Sequence, residues 1–199
     1  MRLIKEELIR LIDEVSNYED IQLSDIPWVD LYMDQVTTFF DEKLKNLKRD
    51  EDDKILTKTM INNYAKAKLL LPVKGKKYSK KQMVLLSLIY NLKQTLSIND
   101  ISLILNPILK TLESDEKNVI LEDLYSSFLD INKLQMDEFN TWFKDKLDLV
   151  DNKATNIKSD DENLIQLLLT VLLLISSANA QKRMAEKIID DFFKQNKKE

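Results

Sequence analysis

One glycine in 199 residues is the feature that most constrains this chain. Gly75 stands with three prolines, Pro27, Pro72 and Pro107, as the whole stock of strong backbone punctuators. Hairpins and sheet corners draw on Gly, Asn-Gly or Asp-Gly for their positive-φ positions. A succession of such turns has nowhere to go here, so the sequence predicts an all-α protein. Hydrophobic residues make up 44% of the chain, enough to bury a core without metal or disulfide.

The missing residue types exclude most chemistry. The chain has no histidine and no cysteine, which removes the usual zinc ligands, His-based triads, thiol nucleophiles and disulfides. A single glycine leaves no phosphate-binding loop and no dinucleotide fingerprint. The acidic runs Asp50–Asp53 and Asp160–Glu162 read as helix-dipole and solubility features, not as metal sites. No enzyme activity, cofactor or metal is expected. The N-terminal MRLIKEELIRLIDE alternates charged and apolar residues, unlike a signal peptide, and a cytoplasmic location is expected. The stretch Asn163–Gln181 is uncharged, but only Leu164–Ile175 is strongly apolar, with Gln166 and Thr170 interrupting it. Those twelve residues span about 18 Å against a hydrocarbon core of ~30 Å. The sequence therefore predicts no membrane span but a helix enclosed by other helices of the chain or by a second subunit.

Charge is distributed unevenly. Between Lys54 and Asn99 lie ten lysines and no acidic residue, so the overall −4 is the sum of +10 here and −14 elsewhere. Solvated faces normally mix both signs. A segment without acids inside an acidic chain is the electrostatic footprint expected of a nucleic-acid binder.

Periodicity then places the elements. Ile4, Leu8, Leu11 and Val15 mark an amphipathic helix over 2–16. Ser24 and Pro27 predict a helix start, with the helix running to about Leu47 and KRDEDDK (48–54) as connector. A short helix is expected from about Thr57 to Lys68, with Met60, Ile61, Tyr64 and Ala67 inward. Pro72 ends it, and Val73–Lys77 forms a tight basic loop. Ser79 and Gln82 make a capping box for a helix burying Val84, Leu85, Leu88, Ile89 and Leu92. Ser97 opens a helix over 98–105, Pro107 starts another, and 113–118 reads as a linker. Helices near 118–130 and 135–149 follow. A second capping box, Ser159 and Glu162, opens a last helix reaching about Phe193. The organisation expected is an N-terminal helix (1–23), a helix-turn-helix domain (24–112) and a helical dimerisation or regulatory region (118–199).

Four spaced motifs carry a resemblance. Asn62-Asn63-Tyr64, Lys68-Leu69-Leu70-Leu71-Pro72, Lys76-Lys77-Tyr78-Ser79 and Leu96-Ser97-Ile98-Asn99-Asp100-Ile101 follow one another in order. Together they resemble the winged helix-turn-helix of MerR-type transcription regulators over residues 57–101. In that family these places carry Arg-Tyr-Tyr, Gly-Leu-Leu-x-Pro, the end of the wing, and Phe-Ser-Leu-x-x-Ile. The chain is also similar to the YkrK-type family of uncharacterised bacterial proteins, a domain-of-unknown-function group. That likeness rests on LYMDQVTTFF (31–40), LTKTMINNYAKAKLL (56–70), KKYSKKQ (76–82) and LKQTLSI (92–98), and covers roughly residues 24–130.

The residues support a DNA-binding reading independently of any family. Lys58, Asn62 and Lys66, at i, i+4 and i+8, form a polar stripe flanked by Thr59 and Asn63. Asn and Lys side chains on such a helix read base edges in a major groove. Lys74, Lys76, Lys77, Lys80 and Lys81 follow closely and suit phosphates. The expected function is a sequence-specific regulator of transcription on double-stranded DNA. The alternative is a non-catalytic interaction module that offers the same basic face to an acidic protein. Major-groove readers commonly pair as two-fold dimers. Met184, Ile188, Ile189 and Phe192 form the stripe expected at a homodimer interface. The sequence names no small-molecule effector.

Overall fold

The computed structural model describes residues 2–112 and 118–194; most of the expected linker, residues 113–117, lies outside them. Seven α-helices dominate the described residues: α1 Arg2–Ser16, α2 Met33–Lys43, α3 Lys58–Lys66, α4 Lys80–Lys93, α5 Ile98–Leu112, α6 Asn118–Ala154 and α7 Glu162–Ile188. A π-helical turn, Ile189–Phe193, extends the last of them. Two two-residue strands, β1 Leu31–Tyr32 and β2 Lys77–Tyr78, pair antiparallel with Leu31 opposite Tyr78 and Tyr32 opposite Lys77. The described residues are mostly helical, as the single glycine implies.

Several boundaries differ from the sequence reading, each for a local reason. The helix expected from Ser24 begins only at Met33. Leu31 and Tyr32 are held extended by β2, and the Tyr32 N–H donates to the Gln35 side chain at 2.9 Å, capping α2 there. Pro107 sits inside α5 and does not restart it. Its exposed ring lies outside, while Ile101, Leu105, Leu109 and Leu112 keep one buried stripe through it. The two helices expected within 118–149 are one helix, α6, because no Gly or Pro interrupts 118–154. At the start of α7, Asp161 is the cap, its carboxylate accepting from the Leu164 N–H at 3.0 Å. Ser159 stands two residues back and accepts from the Asp161 N–H at 3.1 Å.

The chain packs as two units, each built from two separate stretches. Residues 19–129 with 186–199 share a continuous core in which Val36, Phe40, Ile61, Leu69, Met83, Leu85 and Ile101 are shut off from solvent. Within it α4 is buried on every side from Gln82 to Ile89, a wider burial than the one-sided face its sequence predicts. The Tyr125 hydroxyl donates to the Ile21 carbonyl at 2.7 Å, and burial pushes the phenol up to about 12. Ile189 is buried in this core, so the expected dimer stripe is left with Met184, Ile188 and Phe192 on the surface.

Residues 1–18 with 130–185 have a smaller core of Leu8, Ile12, Phe143 and Leu147, beside the stacked pair Phe139–Trp142 with ring centroids 5.6 Å apart. Leu11 and Val15, expected on the inner face of α1, are exposed. Here the chain's own helices do not enclose Leu164–Ile175, the first of the two expected coverings. Leu164, Leu168, Val171, Leu172 and Ile175 are each more than half exposed, whereas the two polar residues, Gln166 and Thr170, are buried. The Thr170 hydroxyl donates to the Gln166 carbonyl at 2.8 Å, but neither amide atom of Gln166 has a partner.

Candidate nucleic-acid interface

Thr57 begins α3 because its hydroxyl accepts the Met60 N–H at 3.2 Å. The Met60 sulfur in turn accepts the Thr57 N–H at 3.4 Å, which turns this side chain outward and corrects its expected inward place. Ile61 and Tyr64 anchor the helix in the core. The opposite face presents Lys58, Thr59, Asn62, Asn63 and Lys66, all exposed. The helix ends on a left-handed residue, Lys68, with φ of 58°. The Leu69 N–H reaches the Tyr64 carbonyl and the Lys68 N–H the Ala65 carbonyl, both at 3.0 Å. This double closure usually employs glycine at the position Lys68 holds.

The basic loop is a two-residue hairpin. Gly75 and Lys76 both have positive φ, 58° and 61°, and the Lys77 N–H donates to the Lys74 carbonyl at 3.0 Å. Two consecutive left-handed residues are the requirement of the type I′ turn, whose twist matches that of the flanking strands. The chain's glycine is therefore placed in this hairpin. Lys76 lies at its tip, exposed.

Gln82 locks the hairpin to α4. Its Oε1 accepts the Ser79 N–H at 2.6 Å, and its Nε2 donates to the Leu71 and Pro72 carbonyls at 3.0 and 3.2 Å. The capping box expected at Ser79–Gln82 thus also fastens the chain leaving α3.

Four of the five loop and helix-start lysines, Lys74, Lys77, Lys80 and Lys81, line a groove of about 650 Å³ together with Trp28, Asp30 and Glu122. Trp28 is 88% exposed, and the Lys80 ammonium sits 4.5 Å from its ring centre while pairing with Glu122 at 2.9 Å. Lys77 lies 5.0 Å from the ring of Tyr32, its cross-strand neighbour. Two residues further on, Asp34 pairs with Lys58 at the start of α3. The hairpin and α3 therefore flank the same short stretch, Tyr32–Asp34. Lys66, Lys74, Lys76 and Lys81 have no ion pair among the described residues, so their charge is uncompensated locally. Lys58 and Lys80 are each matched by an acid.

Sequence reasoning misses Trp28 and Tyr32 altogether, and gives Gln82 only its capping role. It puts Trp28 in a helix, where an aromatic reads as core. The neighbours Pro27, Val29 and Asp30 fit no helical period, and that is the available signal.

A helical domain with a basic hairpin and an aromatic-flanked groove is the class these features define. The sequence profile of the family described as Domain of unknown function (DUF1836) matches residues 21–128, more than half of the chain, and the chain belongs to that family. The match encloses α2–α5, both strands and the groove. No curated protein and no solved structure matches the chain.

Proposed function

We propose that this chain is a cytoplasmic, non-catalytic regulator that binds double-stranded DNA in a sequence-specific manner, with a MerR-like arrangement over residues 57–101. One observation carries the reading. The exposed polar face of α3 and the lysine hairpin lie on either side of Tyr32–Asp34, where a recognition helix and a wing could engage one duplex. Lys68 supports it, since it adopts a positive φ where the MerR-type pattern has its helix-ending glycine. Asn62 and Asn63 would read base edges, and Lys74, Lys76, Lys77 and Lys81 would meet phosphates. Trp28 and Tyr32 add flat rings beside those lysines, suited to packing on sugar and base edges.

Selection of bound duplexes from a random pool, followed by shift assays across salt, tests the reading. About four phosphate contacts per protomer give a log–log salt slope near −4. Neutralising Lys76 and Lys77 together should flatten it by about two on any sequence. Asn62→Ala should cost roughly 1–3 kcal/mol on the selected site and relax one base position. An unchanged slope removes the hairpin from the interface. Absence of any selected or salt-dependent duplex binding, with capture of an acidic protein through the same lysines, would transfer the face to the interaction-module reading.

A further inference from the structure

The exposed apolar face of α7 points to a second copy of this chain. Leu164, Leu167, Leu168, Val171, Leu172 and Ile175 are between 39% and 59% exposed. At ~100° per residue they fall within an arc of about 140°. The far side of the same helix already carries buried Gln166 and Thr170, so the leucine face is the one left over. Contiguous apolar surface of this kind marks an interaction site.

The charge pattern says what covers it. No charged residue occurs from Asn163 to Gln181; Asp160, Asp161 and Glu162 precede this stretch and Lys182 and Arg183 follow it. A helix acidic at one end, basic at the other and neutral between is complementary to itself when inverted. A parallel pairing would set acids on acids and bases on bases. We infer that two copies pack these faces antiparallel about a two-fold axis. Placing Asp161 opposite Lys182 puts the axis between Val171 and Leu172. That register also sets Leu168 opposite Ile175 and Val171 opposite Leu172, so apolar residues meet apolar residues throughout the centre. Such self-matching is what an isologous interface requires.

Lipid fits less well. Glu162–Phe193 is long and apolar enough to cross a membrane by length and composition. Its inner face, however, is engaged, and the same unit carries the surface ion pairs Lys5–Asp148 and Lys144–Asp13. Residues 1–18 and 130–185 hold ten basic and thirteen acidic side chains, which an anionic leaflet would not attract. The proposed seam also differs from the Met184 stripe expected from sequence. Met184 lies nine residues beyond Ile175, roughly opposite the leucine face at ~100° per residue. The inference is independent of DNA binding.

Light scattering and sedimentation of the full chain at tens of micromolar test it. The wild type should show about twice the 23.4 kDa chain mass, and the double variant Leu168→Glu with Leu172→Glu a single chain mass. Both positions are exposed in one copy, so far-UV helicity should persist. Cysteine variants fix the direction, since the chain has no thiol of its own. Mixed Leu168→Cys and Ile175→Cys chains should cross-link on mild oxidation far more than either alone. In the antiparallel register the two copies of position 168 lie about 10 Å apart along the helix, beyond disulfide reach. Self-cross-linking of Leu168→Cys alone would overturn the antiparallel arrangement. A monomeric wild type, or one that floats with phosphatidylcholine vesicles and is released by the double variant, would overturn the dimer.

Discussion

The two units of this molecule treat their apolar residues in opposite ways. Residues 19–129 and 186–199 turn most of theirs inward, to the point that eight consecutive residues of α4 are buried. Residues 1–18 and 130–185 gather a few around Phe143 and Leu147 and leave the leucines of α7 in solvent. The difference teaches that hydrophobicity and burial come apart. α4 has a mean apolarity no greater than that of α7, yet only α4 is enclosed. The first unit covers α4 on every side, whereas the second covers α7 on the side of Gln166 and Thr170 and leaves its leucine face open.

The largest expected effect is in the core. Phe40 is fully buried in the large cluster, and Phe40→Ala should cost about 3–5 kcal/mol in chemical denaturation. Leu147→Ala, in the small cluster, should fall near the lower end of the ~2–5 kcal/mol range because its surroundings can collapse more readily. Equal losses relative to side-chain size would erase the contrast between the units.

Gln166 offers a sharper test with the opposite sign. Its amide is buried with neither atom hydrogen-bonded, a state that costs roughly 1–3 kcal/mol per orphaned group. Gln166→Leu should raise the denaturation midpoint. A fall would mean that the amide is satisfied in solution and that the second unit is closed differently.

The smallest effect is electrostatic. Hydrogen bonds from Lys144 at 2.7 Å and Asn140 at 3.0 Å hold the Asp13 carboxyl below its ordinary value. A depressed carboxyl contributes stability above its unfolded pKa, about 3.9, and loses it as pH falls through the folded value. Asp13→Asn should flatten the acid limb of stability below roughly pH 4 and change little at neutrality. An identical acid limb in the variant would show that the Asp13 contacts are too solvent-screened to register.

Much of the region around α3 and α4 was legible because its signals are local. The helix start near Thr57, the Ser79–Gln82 pairing and the inward Tyr64 act within a few residues and lie where the sequence puts them. Pro72 does not: α3 closes on left-handed Lys68, ahead of it. The start of α2 was not legible, because the extended state of Leu31–Tyr32 depends on β2, some forty-five residues away. The groove was half legible: a lysine run is visible in one dimension, whereas Trp28 joins it only after the chain returns.

The sequence by itself determined a mostly helical chain, since a single glycine leaves little for a succession of hairpin turns; that the basic loop is a hairpin came only with the structure. It also determined where charge is concentrated, for charge is a property of residues and not of packing. Tertiary structure alone decided which side of α7 faces water. A nearly uniform apolar helix has no strong period to orient it, so its neighbours choose the face. They chose Gln166 and Thr170 for the inside and left the leucines out.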